Sequence, residues 1–180
     1  MEFTDLTSII PDLVLDMRYA SSNNVCQKKI SKYEKPYLLS IVAQGLVKVA
    51  DKLRFQGYRL VIWDAGRTRE TQEYLRAVCG NNKYVAEISK HNCGIAVDVS
   101  LADRNGILLD LGTDFDDFSP RAHASNRQFS KEVLDNRQVL FSAMNQAGFK
   151  QLPSEWWHFE LKDAQNVYTA SIRIENHVFA

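Results

Sequence analysis

Residues 157–161, W-H-F-E-L, alternate apolar and polar side chains, and G-I-A-V-D-V-S-L at 94–101 does the same. A period of two marks a strand with one buried face, so these strings commit the chain to a sheet with a core on one side. In the first, Trp157, Phe159 and Leu161 share one face, and His158 and Glu160 share the other. In the second, Ile95, Val97 and Val99 point one way, while Gly94, Ala96 and Asp98 point the other. A histidine and an aspartate thus occupy the strand faces that the core does not claim.

The rest of the pattern supplies helices to cover such a sheet. Pro36 is followed by apolar residues at three-to-four spacing up to Gly57, which predicts a helix with a proline start and a glycine stop. Y-R-L-V-I-W-D at 58–64 reads as a strand. Gly66 then makes a turn, and Thr68 is an N-cap for a helix over 69–79. D-R-N-G at 103–106 reads as a hairpin turn into I-L-L-D-L, followed by a loop rich in Asp, Ser and Pro over 112–127. Ser130 caps a helix running to Gly148, with Phe129 and Leu134 as a hydrophobic staple. Helices and strands in mixed order predict an α+β fold with a central antiparallel sheet packed by helices. With 180 residues, 45% of them hydrophobic, the expectation is a single domain over 1–180, within which 163–180 carries no readable pattern.

Charge and cysteine content narrow the function classes. Basic and acidic side chains balance at 22 each, so nothing supplies the net attraction that drives nucleic-acid binding. No segment approaches the roughly 20 apolar residues that span a bilayer, and no basic start precedes an apolar run. The expectation is a soluble cytoplasmic protein without an export signal. Cys26, Cys79 and Cys93 are widely spaced and contain no C-x-x-C pair, which fits reduced thiols rather than a disulfide framework or a thiolate cluster.

The four histidines are His91, His123, His158 and His177. His91 and Asp98, seven positions apart, would stand about 10 Å apart along a helix axis, and on one straight strand they would face opposite ways. They can converge only across a bend, which Asn92-Cys93-Gly94 permits. On spacing alone two readings stand: a hydrogen-bonded structural pair, or ligands of a metal. His158 adds a third donor, and a His2Asp set of His91, Asp98 and His158 has the make-up of a catalytic zinc site, with one position left open. Glu155, set just before the last strand, is then the natural general base. Arg67, at the end of the 58–64 strand, is either a surface salt-bridge partner or the cation that meets a developing oxyanion, with Arg69 as its rival. His123 reads as a structural or rim residue, His177 as a tail residue, and Cys93 as a packing residue at the turn. Asp114, Asp116 and Asp117 lack the regular alternation of a calcium loop and read as a solvated acidic loop.

Together S89-x-H91-x-x-G94-x-A96-x-D98 and E155-W156-W157-H158 resemble the signature of the zinc D-alanyl-D-alanine dipeptidases, the cell-wall and vancomycin-resistance branch of the M15 peptidases. W-D-A-G-R at 63–67 resembles that family's segment with a catalytic arginine, and R-Y-A at 18–20 a segment that closes its substrate pocket. L-G-T-D-F-D-D-F at 111–118 follows in the expected order, so the likeness runs collinearly over roughly 15–163. The resemblance implies one Zn2+ per chain held by His91, Asp98 and His158, with Glu155 as general base and acid. It implies that Arg67 stabilises the tetrahedral intermediate and that Ser89 and Tyr19 hold the ammonium group of a small dipeptide substrate. Asn92-Cys93-Gly94, Gly66 and Thr68 depart from the family's usual residues, which bears on the pocket wall rather than on the ligands. Two alternatives stand beside hydrolysis of D-Ala-D-Ala: a D,D-carboxypeptidase or L,D-endopeptidase acting on peptidoglycan stems, and a zinc-containing binding domain without catalysis.

Overall fold

The computed structural model describes residues 2–79 and 85–162, so His177 and the 163–180 segment lie outside the described residues. The central sheet has five strands in the order β2-β4-β5-β7-β6: β2 (Val14–Leu15), β4 (Tyr58–Asp64), β5 (Ala96–Asp103), β7 (Glu155–Leu161) and β6 (Phe149–Leu152). A separate antiparallel pair joins β1 (Phe3–Asp5) to β3 (Tyr37–Leu39). Three α-helices accompany them: α1 (Ser40–Phe55), α2 (Arg69–Cys79) and α3 (Lys131–Gln146). The class is α+β, as the element order predicts.

The sheet is mixed rather than purely antiparallel. The pairs β4–β5, β5–β7 and β7–β6 are antiparallel, while the short edge strand β2 runs parallel to β4. A parallel neighbour needs a long crossover, and the chain between β2 and β4 contains α1 to provide it. The helix starts at Ser40 rather than at Pro36, where its sequence pattern places it. Residues 37–39 pair with β1 instead, and the Leu39 amide donates to the Gly94 carbonyl at 3.0 Å, so tertiary hydrogen bonds win over helix initiation there. The two side-chain caps form as expected: the Thr71 amide donates to Thr68 Oγ1 and the Val133 amide to Ser130 Oγ. The D-R-N-G turn closes with the Gly106 amide on the Asp103 carbonyl. Beyond it only the isolated bridge Ala102–Leu108 continues the hairpin.

Helix α1 packs on β4 and α3, and α3 packs on β5 and β6. Val42, Leu46, Val49 and Leu53 of α1, with Leu140 and Met144 of α3, are buried together with Val97, Val99, Leu101 and Phe159 of the sheet. These side chains remove the apolar strand faces from water, which is the main favourable term in holding the layers together. The opposite polar faces of β5 and β7 are left to build a site. Phe129 lies beside two guanidinium groups, with the Arg137 carbon 4.5 Å and the Arg121 carbon 5.0 Å from its ring centre.

Candidate metal centre

Three donors converge where β5, β7 and the turn before β5 meet. His91 lies in a 3₁₀ turn over Lys90–Cys93, capped at its start by Ser89 and ended by Gly94 in the left-handed conformation, φ 64°. A side chain is disfavoured at this φ, and a Cβ would also lie 2.5 Å from the Phe3 ring, so glycine makes the bend that the spacing demands. Asp98 and His158 are direct partners in the β5–β7 register. The donor atoms of His91, Asp98 and His158 all lie within 4.8 Å of one another, and all three residues are buried.

The hydrogen bonds fix which nitrogens look inward. His91 Nδ1 is 2.8 Å from the Ala65 carbonyl oxygen and 3.1 Å from Asp64 Oδ2, both acceptors. Nδ1 therefore carries the proton, and in the neutral ring Nε2 carries a lone pair. That Nε2 is 3.2 Å from His158 Nδ1 and 3.4 Å from Asp98 Oδ2, while His158 Nδ1 is 2.9 Å from Asp98 Oδ1. Two ring nitrogens and a carboxylate facing one point would repel if all presented lone pairs, and a shared cation relieves that conflict. Burial opposes the charge on His158, but hydrogen bonds to Asp98 and Glu160 outweigh it and push its pKa up to about 10. Burial likewise opposes ionisation of Asp98, and the two histidines overcome it, holding the carboxyl well below its ordinary range. Two nitrogens and one oxygen from three residues are the donor chemistry of a catalytic zinc site, so these residues fit such an ion.

Arg67 follows the end of β4 and is only 9% exposed, so it is no surface ion pair. Its Nε donates to Asp64 Oδ2 at 2.9 Å and its Nη1 to Gln72 Oε1 at 2.8 Å, while Nη2 lies 3.8 Å from Asp98 Oδ2. Burial disfavours its charge, yet Asp64, Tyr19 and Asp98 keep the guanidinium protonated beyond its ordinary range. Its carbon sits 4.8 Å from the centre of the Tyr19 ring. The rival Arg69 pairs instead with Glu73, both side chains lying on the exposed face of α2.

A cavity of about 240 Å³ opens over these groups, and Tyr19, Arg67, Ser89, Asp116, Glu155 and Trp157 contribute to its wall with the three donors. Glu155 is the first residue of β7, so it lies within the strand rather than just before it: the strand starts two residues earlier than the alternation at 157–161 shows. Burial pushes its carboxyl upward; Asp98 adds to the rise, while His158, His91 and Arg67 oppose it. Ser89 Oγ accepts from the His91 amide at 3.2 Å, so it shapes the turn as well as the cavity wall.

Asp116 corrects the reading of its loop as merely solvated. Tyr19 Oη donates to its carboxylate at 3.0 and 3.1 Å. Burial, with Asp98 and Glu155 nearby, pushes its pKa up to about 7 against the opposing pull of Arg67 and Tyr19. Asp116 also has φ 59°, unusual for a residue other than glycine. Acidic composition alone gave no sign that one of three aspartates turns inward. Asp64 and Gln72, which hold Arg67, were equally silent in the sequence. His123 is exposed and its carbonyl accepts from Arg137, while Cys93 is buried at the turn.

With the geometry in place, comparison with known proteins places the chain among relatives. Residues 1–178 match the M15 peptidase family described as D-Ala-D-Ala dipeptidase. The chain belongs to that family. It is thus a metallopeptidase of the D-Ala-D-Ala dipeptidase type. The D-alanyl-D-alanine dipeptidase of Escherichia coli K12 is 35% identical over 166 residues, covering 91% of this chain and 86% of the relative. The enzyme of the same name from Enterococcus faecium is 29% identical over 185 residues, covering 89% and 92%. The LdcB LD-carboxypeptidase structure shares the fold, with a TM-score of 0.53 and 20% identity over 92% of this chain and 71% of that one. Among the described residues, no helix of this M15 chain is long and apolar enough to cross a membrane.

Proposed function

We propose that this protein hydrolyses D-alanyl-D-alanine using a zinc ion held by His91, Asp98 and His158, with Glu155 as general base and acid. The observation that carries the reading is the convergence of those three donors in a cavity that Glu155 and Arg67 also line. Bound there, zinc supplies Lewis acidity toward water and the scissile carbonyl. Glu155 takes the proton of the attacking water and delivers it to the leaving amine. Burial raises its pKa above the ordinary carboxylate value, which strengthens it as the base that takes the proton. Arg67, held in place by Asp64 and Gln72, donates to the oxygen that gains charge as the carbonyl becomes tetrahedral. Asp116 and Tyr19 offer a polar corner to the substrate ammonium, anionic once pH rises through about 7, with Ser89 on the same wall.

The size of the cavity favours a dipeptide over a peptidoglycan stem. At about 240 Å³ it lies below the roughly 300–1,000 Å³ of pockets that take drug-sized ligands. Tyr19, only 5% exposed and joined to Asp116, supports a closed end at the N-terminal side of the substrate. The test is hydrolysis of D-Ala-D-Ala and of a pentapeptide stem by one sample whose zinc content is measured. The reading expects faster turnover of the dipeptide; faster cleavage of the pentapeptide contradicts it.

A further inference from the structure

Glu160 lies two residues beyond His158 on the same face of β7 and is 8% exposed. One of its oxygens, Oε2, is 2.6 Å from Lys90 Nζ and 3.2 Å from Lys150 Nζ. The other, Oε1, is 3.4 Å from His158 Nε2. Lys150 is the cross-strand partner of Glu160 in β6, and Lys90 immediately precedes His91. The carboxylate is therefore anchored through one oxygen by two separate elements and presents the other to a ring in the donor set. An ion pair serving only the surface needs no such burial and no approach to His158.

We propose that Glu160 is a positioning residue for the metal centre, orienting His158 so that its Nδ1 faces the shared donor point. A neutral imidazole has one N–H, and an acceptor at Nε2 places the proton there and the lone pair on Nδ1. The same nitrogen already lies 2.9 Å from Asp98 and 3.2 Å from His91 Nε2. Through Lys90 the carboxylate also braces the turn that carries His91. This inference rests on the metal reading of the site and adds a residue outside the three donors.

The test measures zinc affinity of the metal-free protein by competition with a fluorescent chelator, so it does not depend on turnover. Glu160→Ala is expected to weaken zinc binding by roughly 10- to 100-fold, the range for loss of a carboxylate behind a ligand histidine. Glu160→Gln keeps an acceptor for Nε2–H but loses the charge that pairs with the lysines, and is expected to recover affinity to within roughly threefold of wild type. A role confined to the lysine ion pairs makes Gln as poor as Ala, and that outcome overturns the proposal. So does Glu160→Ala binding zinc within roughly twofold of wild type, well short of the expected loss. If the Ala variant does not fold, Glu160→Met, of similar length and without an acceptor, replaces it in the comparison. Wild-type protein that binds no zinc defeats the metal reading itself; wild type that binds zinc alongside equally tight Ala or Met variants defeats only the role of Glu160.

Discussion

Asp98 and His158 stand opposite each other in the β5–β7 register, and Asp98 Oδ1 lies 2.9 Å from His158 Nδ1. Strand pairing, rather than loop placement, sets their spacing, so both arrive as rigid donors. Asp98→Ala and His158→Ala are each expected to abolish stoichiometric zinc while wild type retains one ion per chain. Metal analysis after gel filtration checks this, and a fully loaded His158→Ala protein contradicts the ligand set.

Glu155 lies in the cavity wall but outside the cluster of converging donors. Glu155→Gln is expected to keep its zinc and to lose roughly 10²- to 10⁴-fold in kcat, the contribution typical of a general base. Parallel measurement of zinc content and D-Ala-D-Ala hydrolysis distinguishes the two effects. Loss of the metal instead would make Glu155 a ligand.

Arg67 spans Asp64 and Gln72 with different nitrogens of one planar group. Lysine has a single ammonium and cannot reproduce that fork. Arg67→Lys should therefore lower kcat by about 10²- to 10³-fold, as removal of an oxyanion donor does, with zinc content unchanged. A shift confined to KM would assign Arg67 to ground-state binding.

Asp116 gives the metal-free protein a defined pH response. Its folded-state pKa of about 7 lies above the ordinary 3.8, so the fold holds the proton more tightly than the unfolded chain. The stability this contributes is complete below about pH 4 and is lost as pH rises through about 7, at no more than about 1.4 kcal/mol per pH unit. Asp116→Asn removes that titration. Relative to wild type, it should gain thermal stability between pH 4 and 7.5 in chelator; a pH-independent difference contradicts the assignment.

Gly94 turns the chain from the His91 turn into β5, and a Cβ there would meet the Phe3 ring at 2.5 Å and the Leu39 amide nitrogen at 3.1 Å. Gly94→Ala adds left-handed strain, about 1–2 kcal/mol, to a close approach that the backbone of β3 cannot easily relieve. Urea denaturation should show a loss of at least that amount, together with weaker zinc retention because His91 moves.

Much of this was legible in the sequence because it is local. Alternation in 94–101 and 157–161 placed Asp98 and His158 on the polar faces of their strands, and Thr68 and Ser130 marked helix starts with their own hydroxyls. The seven-residue gap between His91 and Asp98 required a bend, and Gly94 makes it. Residues 37–39 misled because a proline and apolar spacing suit a helix, while β1 and Gly94 offered their backbone partners from elsewhere in the chain. β2 and β6 were too short to carry a period. Asp116 could not be told from Asp114 and Asp117 by composition, since only the approach of Tyr19, 97 residues away, identifies the one that turns inward. The sequence by itself determined which side chains could bind a metal and which face of a strand each occupies. Tertiary structure alone decided that donors up to 67 residues apart meet, because their distance is set by strand register and backbone hydrogen bonds between segments that no local pattern connects.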